Sequence, residues 1–168
     1  KIKTLASLII KENGKGKKIY FGNPMHEKNV KKSNEGKYNK LDDNVLFPGY
    51  VSQSELSELY SNCSLYISTS LSDAGLASST AEAMASGAIS VITNVKENSK
   101  WINRKENNGA IFEPKNAKQL ARRIMKLLSL SIEERTLMSN NSRTKILLES
   151  NIEIEIKKFC NIIKSFNF

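Results

Sequence analysis

Histidine is nearly missing from this chain of 168 residues, with His26 the only one. Its scarcity removes most histidine-based metal sites and the Ser-His and Cys-His pairs of nucleophilic catalysis, and His26 reads as an exposed loop residue. Cysteine is scarce too. Cys63 and Cys160 lie far apart, each inside an apolar pattern. They read as small buried hydrophobes of a reducing, cytoplasmic compartment, not as a disulfide or metal framework. No apolar run approaches the ~20 residues that cross a bilayer, and no signal-peptide pattern opens the chain. Its first residue is Lys1, already inside an apolar pattern, so a piece of a longer protein is expected.

Positive charge is missing from the middle. Residues 41–95 hold six acids and no Lys or Arg, whereas residues 1–40 hold eleven Lys against three Glu. The remainder, residues 96–168, holds ten Lys and five Arg against eight Glu, and the net charge is +9. A basic balance suits nucleic acid or anionic lipid. Nucleic-acid readers interleave aromatics with Arg, however, and Lys is spread broadly here, so no nucleic acid is expected as a partner. A peripheral contact of the basic ends with the inner face of the cytoplasmic membrane is expected instead.

What is present alternates short apolar runs with helical patterns. Leu5, Leu8 and Ile9 recur at helical spacing and stop at Gly14; Lys18–Phe21 is β-rich and ends at Gly22. A Lys-rich polar stretch to about residue 41 reads as a loop with a short helix. Val45–Phe47 is a short strand stopped by Pro48-Gly49. Ser52 with Glu55 forms a capping-box pattern opening a helix. Further strands are predicted at Ser64–Ser68, Ile89–Thr93 and, after the Asn108-Gly109 turn, Ala110–Phe112. Between them a helix spans about Ser79 to Ala85 and ends at Gly87. Asn116 with Gln119, and Ser131 with Glu134, cap two more, the first with Leu120, Ile124, Leu127 and Leu128 on its apolar face. Ile152, Ile156, Phe159, Ile163 and Phe166 line one face of a last helix. It either crosses to a partner domain, packs on its own sheet or pairs with another copy. Strands alternating with helices imply a parallel sheet with right-handed crossovers, a Rossmann-like three-layer α/β domain occupying residues 1–168.

Ligands of such sheets bind at the carboxyl ends of the strands. Three segments fall there: Gly22-Asn23, Pro48 to Val51, and Thr69 to Glu82. The last reads as a glycine-containing loop running into a helix of small residues. Free amides at that helix start bind an anion without a basic side chain. Asp73 and Glu82 add acceptors suited to sugar or ribose hydroxyls. Glu82 equally completes a capping box, Ser79-Thr-Ala-Glu82, and from the residues alone both readings stand.

The run NVLFPGYVSQSELSELYSNCSLYIS, the segment SDAGLASSTAEAMASG, the strand AISVITN and the stretch NNGAIFEPKNAKQLARRIMKLL follow one another in the chain. In that order they resemble the retaining GT-B glycosyltransferases of family 4, the group 1 glycosyltransferases, over about Thr4 to Leu128. The resemblance implies a C-terminal, donor-binding domain whose N-terminal acceptor domain is absent from this chain. It implies a nucleoside-diphosphate sugar as donor, UDP-linked by preference, a glycan or lipid-linked acceptor, and retention of configuration. No metal or other cofactor is implied, and no catalytic residue within this chain. By the same resemblance Glu82 binds the ribose hydroxyls and Gly75, Leu76 and Ala77 meet the sugar and diphosphate. Tyr50 and Val51 line the base, and Gly22 lets the ligand approach the sheet. Asp73 stands one residue earlier than the family's usual spacing of its two acids. A role in polysaccharide synthesis is expected, with a non-catalytic nucleotide-binding or docking module as the alternative.

Overall fold

The computed structural model describes residues 7–13, 16–22, 45–46, 51–72, 75–95 and 97–166. In chain order these contain β1 (Ser7–Asn13), β2 (Gly16–Gly22), β3 (Val45–Leu46), α1 (Gln53–Ser61), β4 (Leu65–Ser68) and α2 (Ser78–Ala85). Then come β5 (Ile89–Thr93), α3 (Asn98–Trp101), β6 (Gly109–Phe112), α4 (Ala117–Leu128), α5 (Ile132–Glu149) and α6 (Ile152–Ser165). The Lys-rich stretch expected to hold a short helix lies outside the described residues.

The six strands form one sheet in the order β3-β2-β1-β4-β5-β6. As predicted, β4, β5 and β6 are parallel neighbours, and β3 runs parallel to β2. The start of the chain departs from expectation. Instead of a helix, Ser7–Asn13 is a strand, antiparallel to both β2 and β4, so the sheet is mixed. Ile9-Ile10 favours the strand, because β-branched side chains are stiff at χ1 and suit extended backbone. Asn13 pairs with Gly16, leaving only Gly14 and Lys15 to connect the strands. So short a link closes an antiparallel hairpin and cannot make a parallel crossover.

Strands β4 and β5 are buried along their whole length, as near-continuous apolar runs covered on both faces should be. Leu65, Ile67, Ile89, Val91 and Phe112 pack with Leu127 of α4 and Met138 of α5 on one face. Tyr66 and Ile92 pack on the other with Tyr60, Ala83, Met84, Ile102 and Ile146. Helix starts follow local chemistry. Ser52 Oγ accepts from the Glu55 amide at 3.3 Å while Glu55 Oε2 accepts from the Ser52 amide at 2.7 Å. Ser131 and Glu134 repeat the arrangement, and Asn116 Oδ1 accepts from the Gln119 amide at 3.0 Å.

At the C-terminus one of the three alternatives for the last helix is removed and one expectation is corrected. Helix α6 buries none of its residues, so Ile152, Ile156, Phe159, Ile163 and Phe166 stand exposed rather than packed on the sheet. Cys160, on that helix, is therefore exposed and not a buried hydrophobe. Cys63 is half-buried, donates to the Tyr60 carbonyl at 3.2 Å, and has its thiol pushed up to about 12 by burial. No described helix is long and apolar enough to cross a membrane.

Candidate ligand edge of the sheet

Strand order reverses in sequence between β1 and β4, the place where an open α/β sheet leaves a crevice at its strand ends. The register puts residues from four strands in a row along this edge. Gly22, the last residue of β2, pairs with Ser7, which in turn pairs with Ser68, the last residue of β4. Ser68 also pairs with Ile92 of β5. With strands ~4.8 Å apart, Gly22 and Ser68 lie about 10 Å from each other. The chain leaves the sheet at Ser68 and re-enters regular structure at α2, so Gly75, Leu76 and Ala77 lead from the edge that holds Gly22 into the helix that carries Glu82. Val51 is half-buried and immediately precedes the Ser52 cap of α1. Tyr50 and Asp73 lie outside the described residues.

Backbone geometry shapes the approach to α2. Gly75 has φ +157°, and a Cβ there would meet nothing within 4 Å, so its constraint is conformational and its surroundings are open. Leu76 turns into the core beside the cluster around Tyr66 and Met84. Ala77 is the N-cap residue; its carbonyl accepts from the amides of Thr80 at 2.9 Å and Ala81 at 3.0 Å. Being alanine, it offers no side-chain acceptor, and α2 opens without a side-chain cap. The first amides of any helix have no intrahelical acceptor, so those of Ser78 and Ser79, at the positive end of the helix dipole, are left to other partners.

Glu82 is corrected in one respect. The capping-box reading needs Ser79 as the N-cap residue, but α2 begins at Ser78, which makes Glu82 its fifth residue. A carboxylate there is two residues too late to close the box, whose acid belongs on the third helical residue, here Thr80. Glu82 is exposed and makes no hydrogen bond or ion pair among the described residues. Its charge is still felt by a neighbour: burial first, then Tyr66 and then Glu82 push the Tyr60 phenol well above its ordinary range.

The neighbouring strand end is held by groups that local spacing does not single out. Thr93 Oγ1 donates to the Ser68 carbonyl at 3.1 Å, joining the ends of β5 and β4. Asn98, only 2% exposed, donates to the Thr93 carbonyl at 2.9 Å. Asn94 donates to Glu113 Oε1 at 3.0 Å, tying β5 to the end of β6. A cavity of about 420 Å³ opens elsewhere, at the opposite ends of β4 and β5, lined in part by Cys63, Ser64, Gly87, Ile89, Arg135 and Ser139. It faces away from the crevice and has no part in this site.

Layered sheet, crossovers and crevice define a Rossmann-like α/β domain of the kind that makes up half of a GT-B glycosyltransferase. The chain belongs to the family described as glycosyl transferases group 1, whose model matches residues 2–145. No curated protein matches it. Among solved structures it is similar to a glycosyltransferase from Rickettsia africae, at 23% identity and TM-score 0.66, covering 75% of this chain and 33% of that one. It is similar to the C-terminal domain of a group 1 glycosyl transferase, LpcC, from Francisella tularensis, at 24% identity and TM-score 0.65, covering 77% and 66%. HepE from Anabaena in complex with UDP-glucose matches at 17% identity and TM-score 0.70, covering 83% and 38%. The chain thus spans about a third of the length of most such neighbours.

Proposed function

We propose that this chain is the donor-binding half of a glycosyltransferase. The enzyme moves a sugar from a nucleoside diphosphate, UDP by preference, to a glycan or lipid-linked acceptor with retention, in the synthesis of a cell-surface polysaccharide. One observation carries the reading: a helix start that no side chain among the described residues caps lies at the reversal of strand order, with an exposed carboxylate one turn further on. Family membership and the UDP-glucose held by HepE support a sugar nucleotide as the ligand.

In this reading the diphosphate meets the amides of Ser78 and Ser79, and Glu82 accepts from the two ribose hydroxyls, a charge-assisted arrangement. Gly75, Leu76 and Ala77 border the sugar and diphosphate, Gly22 bounds the floor, and Val51 and Tyr50 line the base. Anion binding by amides calls for no metal or other cofactor. Catalysis is chiefly positioning and stabilisation of the leaving diphosphate, completed by a partner domain across the crevice. The chain alone is therefore expected to bind donor weakly and to transfer nothing.

Calorimetric titration with UDP, GDP and ADP tests this. UDP should bind, and Glu82→Gln should weaken it about 10- to 100-fold through loss of a charged acceptor. Failure of all three nucleotides to bind, or an unchanged affinity in the variant, refutes the donor site.

The proposed location is the cytoplasmic face of a membrane, and α4 supplies a surface for it. Lys118, Arg122 and Lys126 lie exposed on its outer side with Met125 among them, opposite Leu120, Ile124 and Leu127, and the helix contains no acid. Each such cation contributes on the order of 1 kcal/mol near anionic lipid. The chain should float with phosphatidylglycerol-containing liposomes at low salt and not with phosphatidylcholine alone. Reversing the three charges to Glu should abolish flotation; flotation independent of anionic lipid would dispose of the contact.

A further inference from the structure

Tyr66 sits in the middle of β4 and is 0% exposed, packed among Tyr60, Ala83 and Met84. A phenol in such surroundings needs a partner for its hydroxyl. The partner comes from thirteen residues along the chain: Tyr66 Oη and Ser79 Oγ share a hydrogen bond of 2.9 Å. Ser79 is the second residue of α2. The tyrosine ring is itself held, because Tyr60 meets it edge-on at 5.8 Å between centroids and 81° between planes.

This contact answers a question that α2 poses. Helices α1, α4, α5 and α6 each open on a side chain, Ser52, Asn116, Ser131 or Asn151, that accepts from an amide of the first turn. Helix α2 has Ala77 at that position and no such bond, and the single-turn α3, after Glu97, has none either. A capping oxygen would satisfy first-turn amides internally and withdraw them from a ligand. A tether from the sheet to the Ser79 side chain fixes the same turn and leaves its amides open.

We propose that Tyr66, acting through Ser79, is a positioning residue that sets the direction of the α2 amino end towards the diphosphate of the bound nucleotide. The proposal rests on the donor-site reading above. Since Glu82 lies one turn beyond Ser79 on a rigid helix, the same tether sets where its carboxylate meets the ribose.

The test measures UDP affinity in the wild type, Tyr66→Phe, Ser79→Ala, the double variant and Glu82→Gln, well below each melting temperature. Tyr66→Phe keeps the ring and its packing, so the fold survives. It should weaken UDP about tenfold, the equivalent of one hydrogen bond. Ser79→Ala should do much the same, and the double variant should be no weaker than the worse single one, because both remove one tether. A group that merely supports stability would lower the melting temperature and leave the affinity of the folded protein unchanged. If Tyr66→Phe binds UDP like the wild type while Glu82→Gln does not, or if the two losses simply add, the positioning role is refuted and the donor site stands. If Glu82→Gln is also unchanged, or the wild type binds no UDP, both are refuted.

Discussion

Gly109→Ala is expected to destabilise the fold by about 3–5 kcal/mol, lowering the melting temperature by roughly 10 °C. Gly109 opens β6 with φ +152°, a conformation side chains rarely adopt, and pairs with Ser90 in the buried strand β5. A Cβ at this position would lie 2.5 Å from the Ser90 carbonyl oxygen and 3.0 Å from Ile102 Cγ2. The first neighbour is backbone of a fully buried strand and cannot swing aside; the second belongs to a side chain fully enclosed by the core. Relief requires β6 to withdraw from β5, which uncovers Val91 and Phe112. Chemical denaturation read by far-ultraviolet dichroism checks the loss, and a midpoint within error of the wild type would show that the strands separate without cost.

Asn108→Ala follows, at about 3 kcal/mol. The Asn108 side chain is fully buried and serves three groups. Its Oδ1 accepts from the Asn103 amide at 3.1 Å, and its Nδ2 donates to the Trp101 carbonyl at 2.7 Å and to Glu106 Oε2 at 3.3 Å. Alanine removes the partner of the Asn103 amide and of the Trp101 carbonyl, while Glu106 keeps Lys145. The damage reaches α5, since Lys145 pairs with Glu106 at 2.9 Å and Asn141 donates to the Glu106 carbonyl at 3.0 Å. Asn108→Asp separates bonding from volume. Burial and the nearby Glu106 raise the folded-state pKa of the new carboxyl above its unfolded value, so the folded state holds the proton more tightly. Stability should therefore be greatest at low pH and fall as pH rises through the folded-state pKa. Melting curves at pH 5 and pH 8 decide it: equal destabilisation at both would show that the site is hydrated.

How far the sequence discloses this structure depends on the range of the interaction concerned. The Ser52–Glu55 and Ser131–Glu134 boxes lie within one helical turn, and both form as their spacing predicts. Strands β4 and β5 announce themselves as unbroken apolar runs because both faces are covered. Near the N-terminus the same logic fails. Leu5, Leu8 and Ile9 satisfy a helical period, yet three or four apolar positions satisfy a strand as well. Here the deciding partners are Gly16–Gly22, across a two-residue link, and Leu65–Ser68, far away in sequence.

The candidate site divides in the same way. The loop and helix from residue 69 to residue 82 are legible as a ligand segment from their glycine, small residues and acids. The two roles of Glu82 are not separable locally, since Ser79 and Glu82 stand at capping-box spacing whichever residue begins the helix. The helix start at Ser78 excludes the capping box and leaves the ribose role to the titration. The bond between Tyr66 and Ser79 lies wholly outside local reach, though a tyrosine between Leu65 and Ile67 signals that its hydroxyl must find a partner. The direction of α6 is equally non-local: its stripe shows that something should cover it, and nothing in its spacing says what.

Helix α5 touches both apolar layers of the molecule, Met138 joining the one that contains Phe112 and Ile146 the one that contains Tyr66, with Ser142 sealed between them. A sheet with separate coverings could lose one skin and keep the other. Bridged by a single rod, the two sides lack that freedom, and melting should run as one cooperative event in which tyrosine fluorescence, backbone dichroism and heat absorption change together.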